Sequence, residues 1–327
     1  MIRDALHTAQ FIIHYGKPMK HALYLLAVFL LVYSFAQAGA PAKPVGDKGL
    51  ISVNGTELYY EVVGKGTPIL VLHGGPGLNH SYFLPQMKGL GKKCKLIFFD
   101  QRATGKSSMD VDTASVNLAN FIEDIDAMRE AFGLGQMNLM GHSFGGLLAM
   151  EYAIKHPDHL KSLILVASTA ATSDYRNKAF MNMQSKTTSE DSAGQAQISQ
   201  TEGFKNREPK TMAKFFRMLF RNDFFDPKNA DKLTLTFDNN YAKSGKLLHG
   251  LNRDLANYDI HEDLKAVTCP TLVIETDHDR NLLEAEEQIK NSIPNAKSVM
   301  IKDSGHFPFI EQPAEFFKIV ADFVNNN

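Results

Sequence analysis

Three residues far apart in this chain have the types that acyl transfer needs: a hydroxyl, an imidazole and a carboxylate. Ser143 lies in Gly141-His142-Ser143-Phe144-Gly145, where the apolar run "MNLM" stops and "GLLAMEYAIKHP" begins. The bare pattern G-x-S-x-G arises by chance in about one chain in ten of this length, so its setting has to decide. A strand-like run ends at the serine and a helical run starts at once, which is the strand-to-helix turn of a nucleophile elbow. Such a turn strains the serine backbone, and glycines beside it let strand and helix approach closely. A serine that merely caps a helix is the plainer alternative, and the abrupt strand before it weighs against that.

A serine hydroxyl attacks a carbonyl only when a base takes its proton and an acid orients that base. His306, behind Gly305 in "DSGHFPFIEQP", follows the last strand-like run and is placed for this role, unlike His156 or His261. The acid falls in "TDHDR", after "TLVIE", where Asp277 and Asp279 compete. Asp279 is preferred, because its longer reach past the strand end suits a histidine on the neighbouring strand's loop. Ser143, Asp279 and His306 then follow in the order Ser…Asp…His. The developing oxyanion also needs donors. The turn "HGGPG", His73 to Gly77, supplies one after "ILVL", so Gly75 N–H and Phe144 N–H are the nominated pair.

The elements that must position these groups read as alternating strands and helices. "LISVNG", "ELYYEVVG", "PILVLHG", "KLIFFD", "QMNLMGH", "SLILVAS", "PTLVIET" and "KSVMIKD" are strand-like, and "SVNLANFIEDIDAMREAF" has helical spacing of apolar residues. The later strands are nearly continuous apolar runs, as strands covered on both faces should be. The fold class is α/β, with a mostly parallel eight-stranded sheet flanked by helices. Asn54-Gly55 predicts an antiparallel hairpin at its start. The alternation lapses after the sixth strand, which predicts a helical cap over 170–258, containing "KTMAKFFRMLF", between core segments 49–169 and 259–327. Ser185 to Ser199 reads as a mobile stretch of that cap.

Lys plus Arg number 35 and Asp plus Glu 36, so no strong field steers the chain toward nucleic acid or an anionic membrane. A small molecule or short peptide is the expected partner, and neither a metal nor an organic cofactor is implied. At the N-terminus, Ala22 to Ala38 carries no charge, follows Lys17 and Lys20, and ends in Ala36-Gln37-Ala38. This is the pattern of a signal peptide over 1–38, with Met19 as an alternative start, a Pro/Gly-rich linker over 39–48 and export to a periplasmic or extracellular compartment. An uncleaved membrane anchor is the alternative. Cys94 and Cys269 open strands that are expected to be about four positions apart, so both are expected to be buried and unpaired.

"HGGPG", "DQRATGKS", "GHSFGG" and "GHFPFIEQP" together resemble an α/β-hydrolase of the proline iminopeptidase group, from about Leu50 to Val324. The resemblance implies a serine hydrolase with Ser143, Asp279 and His306 as triad and Gly75 as oxyanion donor. It also implies an aminopeptidase that releases N-terminal residues such as proline through an acyl-enzyme. The chain departs from the group at Ala103, Phe144 and Thr276, where glycine, tryptophan and glycine are usual. A carboxylesterase or lactonase is the first alternative, and a ligand-binding receptor with negligible turnover the second. An aminopeptidase needs a carboxylate for the substrate's ammonium. Glu202 or Glu208 in the cap is the expected source, in preference to Glu190.

Overall fold

The computed structural model of the chain describes residues 43–327; the expected signal peptide and the cleavage site before Gly39 lie outside the described residues. Strands β1 (Lys48–Val53) and β2 (Thr56–Val63) form the antiparallel hairpin. Asn54 and Gly55 both have positive φ, 44° and 72°, the turn whose twist matches that of the paired strands. There follow β3 (Thr67–Leu72), β4 (Cys94–Phe99), β5 (Met137–His142), β6 (Leu160–Val166), β7 (Thr271–Thr276) and β8 (Ala296–Ile301). The sheet order is β1-β2-β4-β3-β5-β6-β7-β8. Every pairing from β4 to β8 is parallel, while β2 runs antiparallel to β4.

Alternate residues of β3 enter different apolar clusters, Leu70 and Leu72 in one, Ile69 and Val71 in the other. Both faces of the sheet are therefore covered, which is why the strand sequences lack polar alternation. The chain leaves β3 outward to β4 and returns across it to β5. Sheet order thus reverses between β3 and β5, the place where a parallel sheet opens a crevice beyond its strand ends. The loop "HGGPG" follows β3 and Ser143 follows β5, so the topology brings these two motifs side by side.

Helix α1 (Leu118–Ala131) starts at Asn117, whose side chain accepts the Asn120 N–H at 3.0 Å. Helix α2 (Phe144–Lys155) begins directly after Ser143 and is buried along most of its length. Between β6 and β7 stand α3 (Ser173–Lys186), α4 (Ser189–Ser199), α5 (Glu202–Lys205), α6 (Pro209–Leu219), α7 (Tyr241–Leu247) and α8 (Leu251–Ala256). The insertion is closed at its base: Thr172 and Asp259 form an antiparallel bridge, and Ser173 N–H donates to Tyr258 O at 2.8 Å. After β7 come α9 (Leu283–Ser292), α10 (Pro308–Glu311) and α11 (Pro313–Asn326).

One expectation fails here. Ser185 to Ser199, read as an excursion without structure of its own, is helical: it forms the end of α3 and the whole of α4. Only Ala179 and Met183 on α3 and Ile198 on α4 are buried apolar residues. Helices this polar show no apolar stripe in the sequence, and their ends are set by Thr172 and Thr188, whose hydroxyls accept N–H groups of the first turn. Cys94 and Cys269 are buried and free.

Candidate active site

Ser143 occupies a conformation with φ 55° and ψ −123°, outside the regions open to most residues. The surroundings impose it. A Cβ on Gly141 would lie 2.2 Å from Gly145 O, and one on Gly145 would lie 2.4 Å from Leu72 O. No side chain fits at either position, so the elbow's glycines are required by close approach of β3, β5 and α2. The Ser143 N–H donates to Val166 O at 3.1 Å and its carbonyl accepts from Gly146 and Thr169, which over-determines the strained turn.

His306 is held from three sides. Its Nδ1 lies 2.8 Å from Asp279 Oδ1, and both residues are buried. Burial by itself would raise the Asp279 pKa, but the His306 charge, its hydrogen bond and Arg280 carry it well below the usual carboxylate range. Asp279 is therefore an anion suited to stabilise an imidazolium. The His306 N–H donates to Asp223 O at 2.7 Å, and its carbonyl faces His142 Nε2 at 2.7 Å. Asp277, the competing acid, points elsewhere: its two oxygens accept the Asp303 and Ser304 N–H groups at 3.1 and 3.2 Å.

His142, the residue between Gly141 and Ser143, carries a role the motif does not advertise. A backbone carbonyl opposite Nε2 can only accept, so Nε2 bears the proton and Nδ1 is left to accept from Tyr82 Oη at 2.7 Å. Tyr82 Oη in turn accepts the Gly74 N–H at 2.7 Å. Burial, then the nearby His306 charge, holds the His142 pKa well below that of a free histidine, so the ring stays neutral. The chain Gly74, Tyr82, His142, His306 thus ties the loop after β3 to the loop after β8 through the floor of the site. His73 does the same for the next loop: Nδ1 faces Gly74 O at 2.8 Å and Nε2 accepts from Gln101 N–H at 3.1 Å. Burial lowers its pKa to about 4.

With Gly74 N–H engaged by Tyr82, the neighbouring Gly75 N–H remains without a partner among the described residues. Phe144 N–H, at the first position of α2, is likewise unpaired there, as helix N-termini are. These are the two nominated oxyanion donors. Gly75, Ser143, Phe144 and His306 all line one cavity of about 340 Å³. The cap supplies its other wall through Arg176, Asn177, Ala179 and Phe180 of α3, and the loop after β7 adds Arg280 and Asn281.

Glu202 and Glu208 do not reach this cavity. Glu202 is exposed and paired with Lys205 at 2.7 Å, one turn along α5, and Glu208 is exposed at the start of α6. The apolar face of α6, with Ala213, Phe216 and Leu219, packs against the second cluster, while Glu208 at the helix start is exposed. Charge is visible in a sequence; the direction a cap helix presents it is not. Five residues absent from the sequence reading join cap to core instead. Lys186 Nζ donates to the carbonyls of His278 and Asp279, Asn182 to Arg280 O, and the Asp223 carboxylate pairs with Arg280. Glu311 accepts N–H groups from Gly305, Phe225 and Asp226.

The family model described as "alpha/beta hydrolase fold" matches residues 67–313, and this chain belongs to that family. It is a hydrolase similar in sequence to the proline iminopeptidase of Heyndrickxia coagulans, 28% identical over 303 residues that span 85% of this chain and 99% of that relative. Among solved structures, the proline iminopeptidase of Mycobacterium smegmatis superposes with TM-score 0.63 at 22% identity, over 85% of this chain and 98% of that one. An esterase from Exiguobacterium antarcticum superposes with TM-score 0.62 at 21% identity, over 86% and 100%. These two structures speak to the fold alone.

Proposed function

We propose that this hydrolase works through an acyl-enzyme on Ser143, with His306 as general base and acid and Asp279 as its orienting anion. The observation that carries the reading is the buried His306–Asp279 pair at 2.8 Å, in one cavity with a serine held at φ 55°. His306 Nε2 takes the Ser143 proton as Oγ bonds to the substrate carbonyl carbon, and the resulting oxyanion is met by Gly75 and Phe144 N–H. Collapse breaks the bond to the leaving group, which departs with the proton from His306. Water, deprotonated by the same imidazole, then releases the acid and restores the serine. Ser143→Ala and His306→Ala are each expected to lower kcat by about 10⁶, as members of a triad act as a unit. Turnover of either variant near the wild-type rate contradicts the mechanism.

For the substrate, the cavity supports cleavage of an ester or amide without a free ammonium, because none of its described lining residues is an acid. The carboxylate of Asp279 is committed to His306 and Asn281. A second reading, release of an N-terminal residue such as proline, is favoured by the iminopeptidase relatives. Paired substrates separate the two: an aminopeptidase cleaves prolyl arylamide and spares its N-acetyl form, whereas the ester reading predicts no preference for the free amine. We also propose export, with the mature chain starting at Gly39 after Ala36-Gln37-Ala38. Intact mass of the exported protein checks this, and retention of Ala22 to Ala38 in a membrane pellet contradicts it.

A further inference from the structure

We propose that the cavity over Ser143 takes a substrate bearing a carboxylate and that Arg176 is the side chain that recognises it, a specificity that rests on the serine-hydrolase reading of the same cavity. The charges of the described lining are two arginines and no acid. They differ in what already balances them. Arg280 is paired with the buried Asp223 carboxylate, contacts Met183 Sδ at 3.0 Å and lies over the Phe220 ring at 5.3 Å. Its charge is spoken for within the protein. Arg176 has no carboxylate partner among the described residues, and its guanidinium sits 5.9 Å from the centre of the Tyr258 ring.

Two features make an unpaired cation at this position unfavourable unless an anion arrives. Arg176 is half-buried, so its charge is partly removed from water with only the Tyr258 ring, and no carboxylate, beside it. It also stands in the first turn of α3, where the peptide dipoles favour negative charge and disfavour a cation. An ammonium entering the cavity meets Arg176 instead of a carboxylate, so the arrangement also selects against free N-termini. Asn177, the next lining residue of α3, offers a neutral amide beside the guanidinium.

Binding to the Ser143→Ala variant, followed by calorimetry, tests this independently of turnover. Neutral butyranilide is compared with glutaric acid monoanilide, which carries its carboxylate on the acyl chain, with the butyryl amide of aminobenzoate, which carries it on the ring, and with cationic prolyl anilide. One carboxylate placement is expected to bind about 10–100-fold tighter than butyranilide, the strength of a charged hydrogen-bonded pair. Arg176→Gln should bring that ratio to about one, while Arg176→Lys should keep part of it. Equal binding of all four ligands, tighter binding of the cationic one, or an anion preference that survives Arg176→Gln overturns the assignment. A fluorophosphonate arm on the wild-type protein separates the two readings. Labelling at Ser143 without any anion preference sinks this inference and leaves the hydrolase standing; anion preference without labelling does the reverse.

Discussion

On the sheet side of the cavity, the groups that tie the oxyanion and nucleophile loops together are neutral: His73 to Gly74 and Gln101, and Tyr82 to Gly74 and His142, while the charged His80–Asp100 pair between the loops after β3 and β4 stands apart from the cavity lining. On the cap side, the joints are charged: Asp223 with Arg280, Lys186 on the carbonyls of the acid loop, Glu311 on N–H groups of the cap, and Arg221 with Asp191. The two walls do different work. Buried neutral imidazoles with both nitrogens engaged fix one tautomer and hold the oxyanion and nucleophile loops without adding charge beside Ser143. Charged joints hold α3 and α4, which bury little apolar surface of their own, and they set the potential of the wall that meets the substrate.

The contrast is sharpened most by the acids. Asp279→Asn should lower kcat by about 10⁴, because His306 loses the anion that orients it. Asp277→Asn, which disturbs only N–H contacts to Asp303 and Ser304, should change kcat less than tenfold and stability by about 1 kcal/mol. Steady-state rates and thermal unfolding of the two variants measure this, and a reversed ranking exchanges the roles of the two carboxylates.

Tyr82→Phe strikes the neutral wall. It strands a buried Gly74 N–H and His142 Nδ1, each costing about 1–3 kcal/mol when left unpaired. Chemical denaturation should show a loss of about 2–4 kcal/mol, and a loss below half a kcal/mol means that the chain from Gly74 to His306 is incidental.

Behind the acid loop, Glu286 is buried with neither carboxyl oxygen hydrogen-bonded among the described residues. Burial first, then the charges of Asp279 and Glu275, raise its pKa above the ordinary value. The folded state keeps this proton while the unfolded chain releases it above the usual glutamate range, so the wild type loses stability as pH rises from there. Glu286→Met should stabilise by about 1–3 kcal/mol, with a margin that widens from pH 5 to pH 8. A margin independent of pH contradicts a retained proton.

The smallest effect concerns Ala103, in "DQRATGKS". It has φ 59°, a conformation that disfavours any Cβ, and it is fully buried. Ala103→Gly should stabilise by up to about 1 kcal/mol, measured as a rise in Tm. This departure from the family pattern thus sits on the neutral wall as strain in one residue.

How much could be read in advance follows from the range of the interactions. The eight strands, the hairpin at Asn54-Gly55 and the elbow at Ser143 are local patterns, and each was legible. That His306 and Asp279 meet was legible because strand ends in a parallel sheet converge on one edge, and reach past the strand end separates Asp279 from Asp277. The cap was not legible beyond its existence and its amphipathic α6. Its helices α3 and α4 are too polar to show a stripe, and Arg176, Asp223 and Lys186 acquire their roles from partners 57 to 93 residues away or from the cavity itself. Glu202 and Glu208 have the right charge and lie next to the amphipathic stretch that becomes α6, but the fold turns both to solvent.

The central claim, that Ser143 is the nucleophile of an acyl-enzyme, is tested most directly by trapping that intermediate. Purified protein mixed with an excess of activated ester, quenched in acid within the first turnover and digested, should carry the acyl mass on the peptide containing Ser143. The adduct should be absent from Ser143→Ala and His306→Ala. Acyl mass on any other residue, or turnover with no adduct at Ser143 while Ser143→Ala remains active, contradicts the account.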